Sequence, residues 1–230
     1  MNILLPTDFS ENADLACQYA FDIAKRSKGK VTVINAYDLP YSDRSMTTSL
    51  LEVMKENAEK NMAAFQRKLK DKYDVPFTTE VRLGNPIRLI KEMATEESID
   101  LVVMGTKGAS GLEEILIGSN AASVIQNSDK PVLVIPPDAN GKPLQKIVFA
   151  SDFDMDNMET AFKNLNAFAE LNEASIDVLH VQNDVKSKAG TRDAIQAALQ
   201  NRVKEFTILQ TDNVEEAIIK EAKKENADVI

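Results

Sequence analysis

"IDLVVMGTKGASGLEEILIGSNAASVIQNSDKPVLVIP", residues 99–136, contains the fold in miniature. "IDLVVMG" (99–105) is a continuous apolar run of the kind buried on both faces of a parallel sheet. Glycines follow at 105, 108, 111 and 118, four of the eight in the whole chain, so backbone freedom is concentrated in one loop. "SNAASVIQNS" (119–128) then reads as a helix and "PVLVIP" (131–136) as a strand. Two parallel strands need a crossover, and this stretch supplies strand, loop, helix and strand in that order.

Working outward, the same alternation fills the chain before it. "NILLP" (2–6) and "KVTVINAY" (30–37) are short β-branched or apolar runs. Between them "SENADLACQYAFDIAKRSK" opens on a Ser10 N-cap and repeats Leu15, Tyr19, Ala20, Ile23 and Ala24 at helical spacing. Residues 47–73 form a long charged amphipathic helix, 77–83 a strand, and "NPIRLIKEMATEES" (85–98) a helix with proline in its first turn. Met54 and Met62 are read as core side chains of the long helix and Met46 as core just before it, with a regulatory groove as the alternative. Five strands alternating with four helices predict an open, doubly wound parallel α/β sheet.

After the Pro/Gly/Asn-rich linker 136–145 the beginning is repeated. "KIVFASDFD" (146–154) matches "NILLPTDFS", with Asp152 in the place of Asp8 and Phe153 in that of Phe9. "SIDVLHVQND" parallels "KVTVINAYD", and "NVEEAIIKEAKKENADVI" parallels "NPIRLIKEMATEESIDLV" through Asp228 and Asp100. The expected domains are therefore 1–138 and a degenerate second copy, 146–230, whose middle helix, "TRDAIQAALQNR", is short. The copy reaches Ile230, the match of Val102, and has no glycine loop. A sheet stopping there should leave an apolar face uncovered, to be completed by a longer chain or by a partner.

Composition narrows the function classes. A net charge of −9 argues against a protein that coats nucleic acid, and no apolar run reaches the roughly 18 residues of a membrane span. "MNILLPTDFS" lacks the charged start and longer apolar segment of a secretory leader, which leads to an expectation of a cytoplasmic protein. One cysteine, Cys17, and one histidine, His180, leave no disulfide and no Cys/His zinc set; Cys17 reads as a small buried apolar residue.

In an open parallel sheet the ligand site lies beyond the carboxyl ends of the strands, where the strand order reverses. If strands one and four flank that crevice, Pro6, Thr7 and Asp8 end one wall and Met104 and Gly105 the other. The loop then leads to Gly118 and Ser119 at a helix N-terminus, where free amides and the helix dipole suit a phosphate chain. Ser119 is the expected cap and a possible hydroxyl donor. Lys107 is either a phosphate cation or a solvated loop lysine. Asp8 either accepts from ribose hydroxyls or closes the strand onto helix one as an Asx turn, and it can do both. Neither G-x-x-x-x-G-K-[ST] nor a glycine-rich first turn is present, which removes the P-loop and dinucleotide-binding classes.

What remains resembles the universal stress protein family. Gly105, Gly108, Gly118 and Ser119 stand at the spacings of its nucleotide-binding members, "PTDFS" is similar to its opening and "SDKPVLVIP" to its closing strand. The resemblance covers residues 1–137 and, more weakly, 146–230. It implies a sheet ordered 3-2-1-4-5, adenine near Ala36, ribose on Asp8, and phosphates on Gly105, Gly108, Gly118, Ser119 and Asn120. It further implies ATP, with or without Mg²⁺, or else AMP or ADP, and pairing as a homodimer or as a pseudo-dimer within the chain. The second copy, with Asp154 in the place of Ser10 and no glycine loop, is not expected to bind nucleotide. A slow ATPase or nucleotidyl transferase using Glu113 or Glu114, and an interaction module with an empty crevice, are the competing readings; the two glutamates more simply open a short helix.

Overall fold

The computed structural model describes residues 1–38, 48–96, 98–106, 118–152, 158–182, 191–200 and 202–230, which divide into two compact units, Met1–Gly141 and Lys142–Ile230. In the first, β1 (Ile3–Pro6), α1 (Glu11–Ser27), β2 (Val31–Tyr37), α2 (Thr48–Lys72) and β3 (Phe77–Leu83) are followed by α3 (Pro86–Ala94), β4 (Leu101–Gly105), α4 (Ser119–Asn127) and β5 (Val132–Ile135). All strands are parallel, in the order β3-β2-β1-β4-β5, with Ile3 opposite both Val31 and Leu101. The chain builds outward from β1 to β3, then returns to the other side of β1, so the order reverses between β1 and β4.

Strand alternation sends successive side chains to opposite faces. Leu4, Ile34, Val102 and Met104 pack with Ile90, Met93 and Ala94 of α3 and Ala121 and Val124 of α4. Ile3, Leu5, Val31, Val33 and Val103 alternate with them and are fully buried on the face where α1 lies over β1 and β4 and α2 over β2 and β3. Each such side chain contributes at most about 1.5–3 kcal/mol. α2 presents Ala58, Met62, Phe65 and Leu69 as its buried stripe; Met54 is half-buried, and Met46 lies outside the described residues.

Local signals set most boundaries. Ser10 caps α1, accepting from the Ala13 amide, and Lys28 closes it in the left-handed region at φ 53°. Asn85 caps α3 with Pro86 behind it, after a turn in which Gly84 adopts φ 141°, open only to glycine at low cost. α3 ends at Ala94, short of the expected residue 98, because the Glu96 amide turns back to the Met93 carbonyl.

The second unit runs β6 (Lys146–Ala150), α5 (Glu159–Asn172), β7 (Ser175–Gln182), α6 (Thr191–Ala198), β8 (Val203–Gln210) and α7 (Val214–Lys224). Its parallel sheet is ordered β6-β7-β8, and Val229 adds a bridge to Ile147 on the outer side of β6. Phe162, Ile176, Val178, Ile195 and Leu199 form the core on one face; Val148, Leu179 and Ala222 form that on the other. Val214 and Ile219 of α7 and Ile208 of β8 are exposed. No helix among the described residues is long and apolar enough to cross a membrane.

Candidate functional site

β1 ends beside β4, and the residues beyond Pro6 leave the sheet. The Thr7 amide still donates to the Ile34 carbonyl (2.8 Å), after which the chain turns on its own side chains. Thr7 Oγ1 accepts from the Phe9 amide and Asp8 Oδ1 from the Ser10 amide, both at 3.0 Å. Phe9 sits in the left-handed region at φ 62°, its ring edge-on to Phe65 of α2. Asp8 thus makes the Asx turn and is exposed; Thr7 is buried and Pro6 half-buried. Ala36 is half-buried near the end of β2.

On the other wall, the Met104 side chain is buried in the α3/α4 core, so only its main chain is available to a ligand. Gly105 owes its identity to α1: a Cβ there would stand 2.5 Å from Asn12 Oδ1. Asn12 Nδ2 in turn donates to the Ile135 carbonyl at the end of β5 (3.0 Å). The absent side chain lets α1 reach across β4 to tie down β5, a use of glycine other than the expected ligand approach. Asn12 was not singled out in the sequence, although a buried asparagine in a first helical turn implies a distant partner.

The Thr106 amide continues the ladder to Ile135, and the Gly118 amide donates to the Thr106 carbonyl (2.8 Å), which holds the start of α4 at the end of β4. The N-cap of α4 is Gly118 and not Ser119 as the sequence suggested. The Ala122 amide takes the Gly118 carbonyl, which moves Ser119 into the first turn and leaves the helix without a side-chain cap. Ser119 and Asn120 are exposed there. An uncapped helix start directs amide donors and partial positive charge outward. Lys107 and Gly108, like Gly111, Glu113 and Glu114, lie outside the described residues.

Two other clusters occur among the described residues. A cavity of about 50 Å³, lined by residues including Asp14, Cys17, Phe65 and Tyr73, has room for a water or two. Burial, then the nearby Asp14 charge, pushes the Cys17 thiol up to about 12, so it stays protonated. In the second unit the carboxylates of Asp177, Glu205 and Glu225 come within 4.8 Å of one another. Lys146 Nζ lies 3.1 Å from Asp177 and 2.9 Å from Glu225, and its ammonium supplies the cation among them.

Residues 1–136 match the model of the universal stress protein family, and the chain belongs to that family. A universal stress protein of Methanocaldococcus jannaschii is 36% identical over 137 residues, 58% of this chain and 80% of that protein. The solved structure of UspA from Lactobacillus plantarum superimposes with a TM-score of 0.52 at 26% identity, over 59% of this chain and 97% of its own. A universal stress protein from Archaeoglobus fulgidus shares the fold over 98% of this chain and 84% of its own, with a TM-score of 0.75 and 20% identity.

Proposed function

We propose that the first unit binds an adenine nucleotide, ATP foremost with AMP or ADP as alternatives, and serves as a nucleotide-dependent regulator of a stress response in the cytoplasm. What supports this is an exposed acidic residue just beyond β1 and a helix start without a side-chain cap tied to the end of β4, the two neighbouring strands between which the order reverses. In this reading Asp8 accepts from the ribose, Ala36 borders adenine through its main chain, and Gly105, Gly108, Gly118, Ser119 and Asn120 take the phosphates. Lys107 adds charge and Mg²⁺ accompanies the phosphates or is dispensable. The assignment is of binding, not of chemistry.

Bound ligand would stabilise the folded form, by about 2.7 kcal/mol at a hundredfold excess over Kd. That stabilisation can favour a homodimer or a pseudo-dimer of the two copies. Calorimetric titration with ATP, ADP and AMP tests the reading, alongside the mass of any small molecule released when the purified protein is denatured. Heat on addition of ATP, lost in Gly118→Val, supports it; no heat with any of the three overturns it.

A further inference from the structure

In both units a buried side chain on the second strand holds the carbonyl that follows the first. Asn35, 8% exposed on β2, donates from Nδ2 to the Thr7 carbonyl at 2.7 Å. In the second unit His180, 7% exposed on β7, places Nδ1 2.8 Å from the Ser151 carbonyl. A carbonyl only accepts, so this ring nitrogen carries the proton.

The two positions correspond in backbone register as well as in sequence. Ile3 pairs with Val31 and Ile147 with Ile176, while the Thr7 amide bonds Ile34 and the Ser151 amide bonds Leu179. An amide and an imidazole differ in shape and basicity, yet each makes the same bond at the same place. The shared element is therefore a buried N–H donor rather than a particular residue. Such a group is costly to bury unless it is bonded, so the strand tip is held firmly against its neighbour.

From that bond the chain of contacts continues through Thr7, whose hydroxyl holds the Phe9 amide, to Asp8, whose carboxylate holds the Ser10 amide. We propose that Asn35 is a positioning residue for the nucleotide site, setting the direction of Asp8 through Thr7, and that histidine can replace it. The effect on ligand rests on the function proposed above; the effect on the strand tip does not.

The test uses the full chain with Asn35→His, Asn35→Leu and Asn35→Ser, following hydrogen exchange at the Phe9 amide by NMR and ATP affinity by calorimetry. Loss of the bond in the Leu and Ser variants should speed exchange and weaken ATP about tenfold each, whereas Asn35→His should stay within about threefold of the parent on both measures. Rescue by His distinguishes positioning from mere filling of space, and if the Leu variant fails to fold, the Ser variant decides. Exchange unchanged in Asn35→Ser, or Asn35→His as impaired as Asn35→Ser, overturns the proposal. If the parent protein binds no ATP, the proposed function fails, while the exchange series still decides whether Asn35 fixes the tip.

Discussion

In the first unit, α1 starts directly behind Ser10, whose hydroxyl caps it, and the helix approaches β4 closely enough for Asn12 to reach β5. In the second, α5 starts at Glu159 behind Met158, with no side-chain cap bond. What the units share is at the strands. Asp100 accepts from the Asn2 amide, and Asp228 from the amides of Gln145 and Lys146. The Asp100 amide returns to the Asn2 carbonyl, as the Asp228 amide does to that of Lys146. Sheet register is thus reproduced by main-chain pairing with one acidic clasp, while the helix start that shapes a crevice differs. A copy can keep the sheet and still change the helix start that follows its first strand.

The largest expected effect concerns the ligand. Titration of the full chain should give one ATP per chain, and Asp8→Ala should weaken it by about ten- to a hundredfold, the cost of an unmet polar contact. Asp152→Ala should leave affinity within about twofold, and two equivalent sites would break the comparison. Next is the close packing at β4: Gly105→Ala should cost about 1–3 kcal/mol in urea unfolding, because the new Cβ meets an Asn12 side chain already engaged with Ile135.

The clasps should rank by their bonds. Asp228→Ala removes the acceptor of two amide N–H groups and Asp100→Ala that of one among the described bonds, so the former should cost more, each within about 1–3 kcal/mol, read by hydrogen exchange in its own unit. The smallest effect is one of pH. The bond from Lys146, and then its charge, hold Glu225 below the usual carboxylate range. That stabilisation is present above the unfolded value and is lost as pH falls through the lowered folded one. The first unit has Asn2 at the matching position, so acid at and below the ordinary carboxylate range should loosen the second sheet first, and Lys146→Asn should abolish the difference.

Much of the first sheet was legible because its signals are local: apolar runs, the Ser10 cap, Asn85-Pro86, and the repeat that aligned Asp100 with Asp228. The features that escaped are set by contacts distant in sequence. Nothing around Gly105 announces that its missing side chain makes room for Asn12, or that Asn12 answers to Ile135. Asn35 looks like an interruption of a strand until Thr7 is seen beside it. At α4 the carbonyl of Gly118 competed with the hydroxyl of Ser119 for the cap, a choice the residue types alone leave open.

The backbone at Phe9 restricts what the corner can become by mutation. A bulky residue at φ 62° is tolerated through its ring on Phe65 and its amide on Thr7. Valine or isoleucine would crowd that backbone and forfeit the ring, whereas glycine or asparagine would relax it and surrender the anchor to α2. Substitution there trades ease of the main chain against grip on the neighbouring helix, and an aromatic side chain retains the grip at the cost of the ease.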